Sequence, residues 1–167
     1  MIRTLRHVGV ALVFLGLAAS PHVAMGQAPA PPPPYGPAIT FDQAQKAMAA
    51  AQAEAKKNNW NVVIAIVDSG GHLVSLQRLD NTQYGSIDVA KGKATTAVSF
   101  RRPTKALEDV IAGGGVGLRI LKLEGATPLE GGIPIVVDGK IIGGIGVSGV
   151  TSAQDAQIAR AGADALK

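Results

Sequence analysis

Residues 131–166, GGIPIVVDGKIIGGIGVSGVTSAQDAQIARAGADAL, constrain the fold of this chain more than any other stretch. Residues 133–137 read as an apolar strand, Asp138-Gly139 as a two-residue turn and residues 140–147 as a second strand. Asp-Gly between two apolar runs is a strong hairpin signal because both central residues must take positive φ. Thr151-x-x-Gln154 and Ser152-x-x-Asp155 then offer helix-start chemistry, and Ile158, Ala161, Ala165 and Leu166 give the last helix a face to bury. The same stretch holds a G-x-G-x-x-G spacing at Gly144, Gly146 and Gly149, which invites a nucleotide-binding reading. The context argues against it. A dinucleotide fingerprint needs a parallel βαβ unit whose first glycine turns from strand into helix, with an acid after the next strand. Here the glycines ride on a hairpin arm, and Asp164 falls inside the terminal helix. Their expected role is to let the terminal helix or a neighbouring subunit approach the strand closely, with Gly149 easing the turn before the helix cap.

The preceding residues repeat this grammar. Thr40-Phe41-Asp42-Gln43 has the form of a capping box, and Phe41, Ala44, Met48, Ala51 and Ala55 follow at helical spacing, which predicts a helix over 41–57. Its many alanines point to close packing against a sheet or another subunit. Residues 62–67, VVIAIV, form a continuous apolar run, as expected of a strand covered on both faces. Asp68-Ser69-Gly70-Gly71 is turn chemistry, and residues 72–79 return as a second strand. Residues 86–98 read as a helix, and Pro103-Thr104 opens a short helix over 104–112 that Gly113 to Gly115 closes. Residues 118–123 read equally as strand or turn. Two hairpins imply an antiparallel sheet, and doubly apolar strands imply helices on both faces. The expected fold is α+β, a three-layer α/β/α arrangement with about five strands.

The N-terminus reads as a signal peptide over residues 1–26: Arg3 and Arg6, an apolar run over 8–19, and small residues at Ala24 and Gly26. That run is too short to span a bilayer comfortably, so the mature chain is expected to be exported, periplasmic or extracellular, without a membrane span. A proline-rich linker follows over 27–37, and the folded domain over 38–167. Removal of residues 1–26 takes away two of the 16 basic residues and none of the 12 acidic ones, which leaves a net charge of +2. With Lys56-Lys57 and Arg101-Arg102 the only adjacent basic pairs of residues 27–167 and no aromatic interleaving, this is no nucleic-acid footprint. The absence of cysteine excludes a disulfide framework and Cys-ligated zinc or iron–sulfur centres. His7 and His22 leave with the signal peptide, so the mature chain keeps a single histidine, His72.

The segments EGGIPIVVDGKIIGGIGVSGVTSAQDAQIARAG, IAIVDSGGHLVSLQRLD and SFRRPT together resemble the GlcG/HbpS-type family of small haem-binding proteins, and also the C-terminal part of PduO-type proteins. The resemblance covers nearly all of residues 39–166. It implies a profilin-like fold with a five-stranded antiparallel sheet, assembly into homo-oligomers, and haem as cofactor. It also implies roles in haem or iron handling or redox sensing, with haem degradation or service to a membrane sensor kinase associated with one branch. The alternative is a non-haem binding module or enzyme for a small hydroxyacid on the same scaffold, or a structural accessory of a membrane sensor.

Neutral imidazole is a common axial ligand of haem iron, which makes His72 the first candidate ligand; a solvent-facing hairpin residue is the competing reading. Tyr84 and Met48 are the other side chains able to ligate, although Met48 falls at a core position of its helix. Haem propionates call for cations, and the planar fork of Arg suits them. Arg78, Arg101 and Arg102 are the candidates, against an ion pair of Arg78 with Asp80 and a helix-capping or oligomer role for the other two. Glu130 is the carboxylate worth following, with a surface position at a strand start as its ordinary role. A hydrolytic triad would have to use His72 with Asp68, and no nucleophile elbow is present. A zinc site would need sharing between subunits, with Asp68 or Asp80 beside His72.

Overall fold

The computed structural model describes residues 30–167, and its compact unit runs from Pro31 to Lys167. The expected signal peptide and the start of the proline-rich segment lie outside the described residues. Strand β1, Val63–Asp68, is the centre of the molecule, and its apolar run has the anticipated cause. Ile64 and Ile66 point into a core shared with two helices, α1 (Phe41–Lys57) and α4 (Ser152–Asp164). Val63, Ala65 and Val67 point the other way, into a second core with helix α2, Ser86–Ser99. Alternation of side chains along a strand thus serves two helical layers. Each buried Val or Ile contributes about 1.5–3 kcal/mol by leaving water.

The other strands are β2 (Leu73–Arg78), β3 (Gly132–Val137) and β4 (Lys140–Ser148), and the sheet order is β2-β1-β4-β3 with every pair antiparallel. Both hairpins form where expected, with Asp138 at φ 49° and Gly139 at φ 73° in the β3–β4 turn. The sheet has four strands rather than five. Part of the difference is made up by the end of the proline-rich segment, which runs parallel to β4 beyond the end of β1. The Ile141 N–H donates to the Pro34 carbonyl (2.8 Å), and the Gly36 and Ile39 N–H groups donate to Ile141 and Ile142.

Residues 118–123 form no strand. Helix α3, Lys105–Ala112, ends at Gly113, and the positive φ of Gly114 (67°) and Gly115 (55°) turns the chain back along it as a 3-10 helix, Gly115–Lys122. A 3-10 helix repeats every three residues, so Gly117, Ile120 and the following Leu123 line up towards α3.

Both capping boxes are present. The Gln43 N–H donates to the Thr40 hydroxyl, and the Thr40 N–H donates back to the Gln43 side chain; Thr151 and Gln154 repeat the arrangement. The alanine face of α1 packs on α4 and the sheet: Ala44, Ala47, Ala51 and Ala55 are buried. A Cβ at Gly162 of α4 would collide with the Ala47 carbonyl.

The G-x-G-x-x-G glycines do permit a close approach, but α2 is the helix that makes it, not the terminal one. A Cβ at Gly146 would run into the Ala90 carbonyl and the Ala94 backbone, and one at Gly144 into the Ala94 carbonyl. Gly149 passes against the Asn61 carbonyl in the same way.

Candidate functional site

His72 stands at the exit of the β1–β2 turn. The Asp68 carboxylate organises this turn, because one of its oxygens accepts the backbone N–H groups of Gly70 (2.8 Å) and His72 (2.9 Å). These bonds, that from His72 foremost, hold the Asp68 carboxyl below its ordinary value although partial burial opposes them. The imidazole itself is 83% exposed, with Nδ1 3.4 Å from the same Asp68 oxygen. A carboxylate at one ring nitrogen leaves the other facing solvent, an arrangement common behind metal-bound histidines. Among the described residues no three His, Cys, Asp or Glu side chains come together in a group that could hold a metal ion.

Arg78 and Tyr84 meet at the other end of β2. The Arg78 guanidinium lies over the Tyr84 ring, 4.9 Å from its centre, and donates to the Thr82 carbonyl (2.9 Å). No ion pair with Asp80 forms, and Tyr84 is 79% exposed. The six residues of β2 separate this pair from His72 by about 20 Å at strand rise. One chain does not offer His72 and Arg78 to the same small contact. Met48 is 1% exposed in the α1 core, which leaves it no ligand role.

Arg101 and Arg102 close helix α2. The Arg101 N–H donates to the Val98 carbonyl and the Arg102 N–H to the Ala97 carbonyl, while Arg101 takes φ 52°. This is a Schellman ending with arginine at the left-handed position where glycine is usual. The Tyr35 hydroxyl donates to the Val98 carbonyl (2.9 Å), and the Arg101 guanidinium sits over the Tyr35 ring at 5.7 Å. The capping alternative therefore holds for the backbone of this pair, while both side chains remain on the surface.

Arg102 also borders an apolar groove of about 740 Å³ between α3 and the 3-10 helix. Its walls are Leu107, Val110, Val116, Gly117, Ile120 and Leu123, and Arg119 is its second cation. The sequence reading missed this groove, since residues 118–123 read as strand or turn rather than as part of a 3-10 helix. The spacing of Gly117, Ile120 and Leu123 was the available signal. Glu130 is half-buried near the groove's helix, and its N–H donates to the Glu108 carboxylate.

Residues 39–164 match the family model described as haem-degrading protein HbpS-like. The chain belongs to this family. It is 48% identical over 110 residues to the protein GlcG of Escherichia coli K12, covering 66% of this chain and 81% of GlcG. Among solved structures it is similar to a doubly substituted HbpS of Streptomyces reticuli, at 34% identity and TM-score 0.73, covering 90% and 99% of the two chains. It is also similar to a PduOC–haem complex, at 31% identity and TM-score 0.70, covering 78% and 96%. The HbpS-like fold is thus established for residues 39–164, and the α/β/α layering agrees with it.

Proposed function

We propose that this chain is an exported, homo-oligomeric haem-binding protein that serves haem or iron handling or redox sensing. The observation that carries the reading is the haem complex of PduOC, a relative with the same fold across most of this chain. The residues fit such a group in two respects. The groove beside α3 has apolar walls for a flat ring and two guanidiniums for its carboxylates, and His72, which is not on the groove's lining, is a separate position where a nitrogen backed by Asp68 is open to iron.

Bound haem would supply a redox-active iron. The chain's own groups exclude water from the ring faces, pair with the propionates and set which ring nitrogen of His72 is free. Export rests on the Arg3/Arg6 and apolar pattern of residues 1–26. Oligomer formation is supported by Leu118 and Leu121, which are exposed outside the groove walls and, three residues apart on the 3-10 helix, share one of its faces, since adjacent apolar side chains on a surface mark contact sites. No helix among the described residues is long and apolar enough to cross a membrane.

Haemin titration of the mature domain, followed by absorbance, tests the reading. A saturable Soret shift that weakens in His72→Ala is expected. A wild-type protein giving no shift at micromolar haemin overturns it, and a shift unchanged in His72→Ala removes His72 as the ligand while haem binding stands.

A further inference from the structure

We infer that the groove between α3 and the 3-10 helix is a binding site for a flat apolar dicarboxylate of porphyrin size, and that it recognises the organic body rather than the metal. The inference rests on the haem-binding reading and adds where and by what forces the ring is held. The walls are aliphatic: Leu107, Val110, Val116 and Leu123, with Val116 74% and Val110 48% exposed. Such side chains are left in water only at a cost, and a flat ring laid between the two helices covers them. Arg102 and Arg119 supply two positive charges on the groove lining, which also contains no acidic side chain. That charge pattern selects an anionic ligand with an apolar body, and the guanidinium fork suits carboxylates. The groove volume of about 740 Å³ lies within the range of sites for compact organic ligands.

The lining contains no His, Met, Tyr or Cys, so the groove itself offers no nitrogen or sulfur to a metal. Binding there comes from apolar contact and charge, and a ring without iron serves as well as one with it.

The experiment is fluorescence titration of the whole mature protein with metal-free protoporphyrin IX, alongside haemin. Saturable binding is expected, weakened about tenfold or more by the double charge reversal Arg102→Glu/Arg119→Glu, where two charge-assisted contacts become repulsions. Val116→Asp, at an exposed position that the fold does not need, is expected to weaken it comparably, and His72→Ala to leave it unchanged. Circular dichroism verifies folding of each variant. Haemin binding without protoporphyrin binding overturns the groove inference and leaves the haem reading standing. Protoporphyrin binding that no groove variant alters is adsorption elsewhere and also overturns it. Protoporphyrin binding without haemin binding keeps the groove and removes the haem reading, and loss of both removes both.

Discussion

Lys93 and Asp155 form an ion pair in the interior, with Nζ 2.8 Å from Oδ2 and each side chain 3% exposed. It ties α2 to the start of α4, and both partners are further bound: Lys93 donates to the Val147 carbonyl (2.9 Å) and Asp155 accepts the Val150 N–H (3.2 Å). Gly131 passes over it, where a Cβ would press on the Lys93 ammonium. Burial pushes the Asp155 carboxyl up, against the pull of Lys93. Removing one partner leaves a buried charge unpaired, so Lys93→Met and Asp155→Leu singly are each expected to destabilise by about 3–5 kcal/mol. The double variant is expected to recover much of the loss, since an apolar pair carries no desolvation cost. Urea denaturation of the three variants measures this, and additive losses would show that the two residues are not coupled.

Gly146 and Gly85 predict opposite outcomes for the same substitution. Gly146→Ala places a methyl against the Ala90 carbonyl and forces α2 off β4; a loss of about 1–3 kcal/mol or more is expected from overpacking. At Gly85 a Cβ meets nothing within 4 Å and the backbone is already right-handed helical, φ −58°, ψ −23°. Gly85→Ala is expected to stabilise by about 0.4–1 kcal/mol through the unfolded chain. Thermal melts of both variants decide. A neutral Gly146→Ala would mean that helix approach is not what these glycines are for.

These glycines also mark how far the sequence could be read. The Asp138-Gly139 turn, the two capping boxes and the Val62–Val67 run were legible because their causes lie within a few residues. That Gly144 and Gly146 share a face follows from strand alternation, but which helix covers that face is settled by tertiary packing, and it is α2. Lys93 sits on an alanine-rich helix and reads as a solvated residue; its partner is 62 positions away. Ser152-x-x-Asp155 looked like helix-start chemistry, whereas the carboxylate of Asp155 turns inward to Lys93 and to Val150. His72 and the arginines could be named as chemically suited, and the strand expected over residues 72–79 already put His72 and Arg78 at its opposite ends, as β2 does. The groove depended on a 3-10 helix, whose three-residue period resembles a weak strand or a turn.

Arg101 occupies a left-handed position, and this separates its structural role from a ligand role. Glycine takes that conformation without strain, so Arg101→Gly is expected to stabilise the end of α2 by about 1 kcal/mol, less whatever the Tyr35 contact contributes. If the side chain holds a propionate, haemin affinity falls while stability rises. Thermal denaturation and haemin titration of the same variant read the two effects apart.

Asp68 links the His72 turn to pH. Its carboxyl lies below the ordinary value of 3.8 when folded, mainly through the His72 N–H, so the folded state releases this proton more readily than the unfolded state. The resulting stabilisation is full above the unfolded value and is lost as pH falls through the lower folded one. Asp68→Asn removes it. Wild type is therefore expected to exceed Asp68→Asn in stability at neutral pH, with the gap closing as pH drops below the carboxylate range. Equal melting temperatures for the two proteins at neutral pH would show that the Asp68 bonds contribute nothing.

Gly117 provides a test of the groove that leaves its charges alone. A Cβ there would collide with the Val110 carbonyl, so Gly117→Ala has to push the 3-10 helix away from α3. Neither element belongs to the two helix–sheet cores, and Leu107, buried at 5%, still anchors α3. The fold is accordingly expected to survive, with far-UV circular dichroism close to wild type and a stability loss of about 1–3 kcal/mol. Protoporphyrin binding should fall because the spacing of Val110, Val116 and Leu123 changes together. A Gly117→Ala protein that remains folded and binds protoporphyrin with wild-type affinity would place the ring somewhere other than between these two helices.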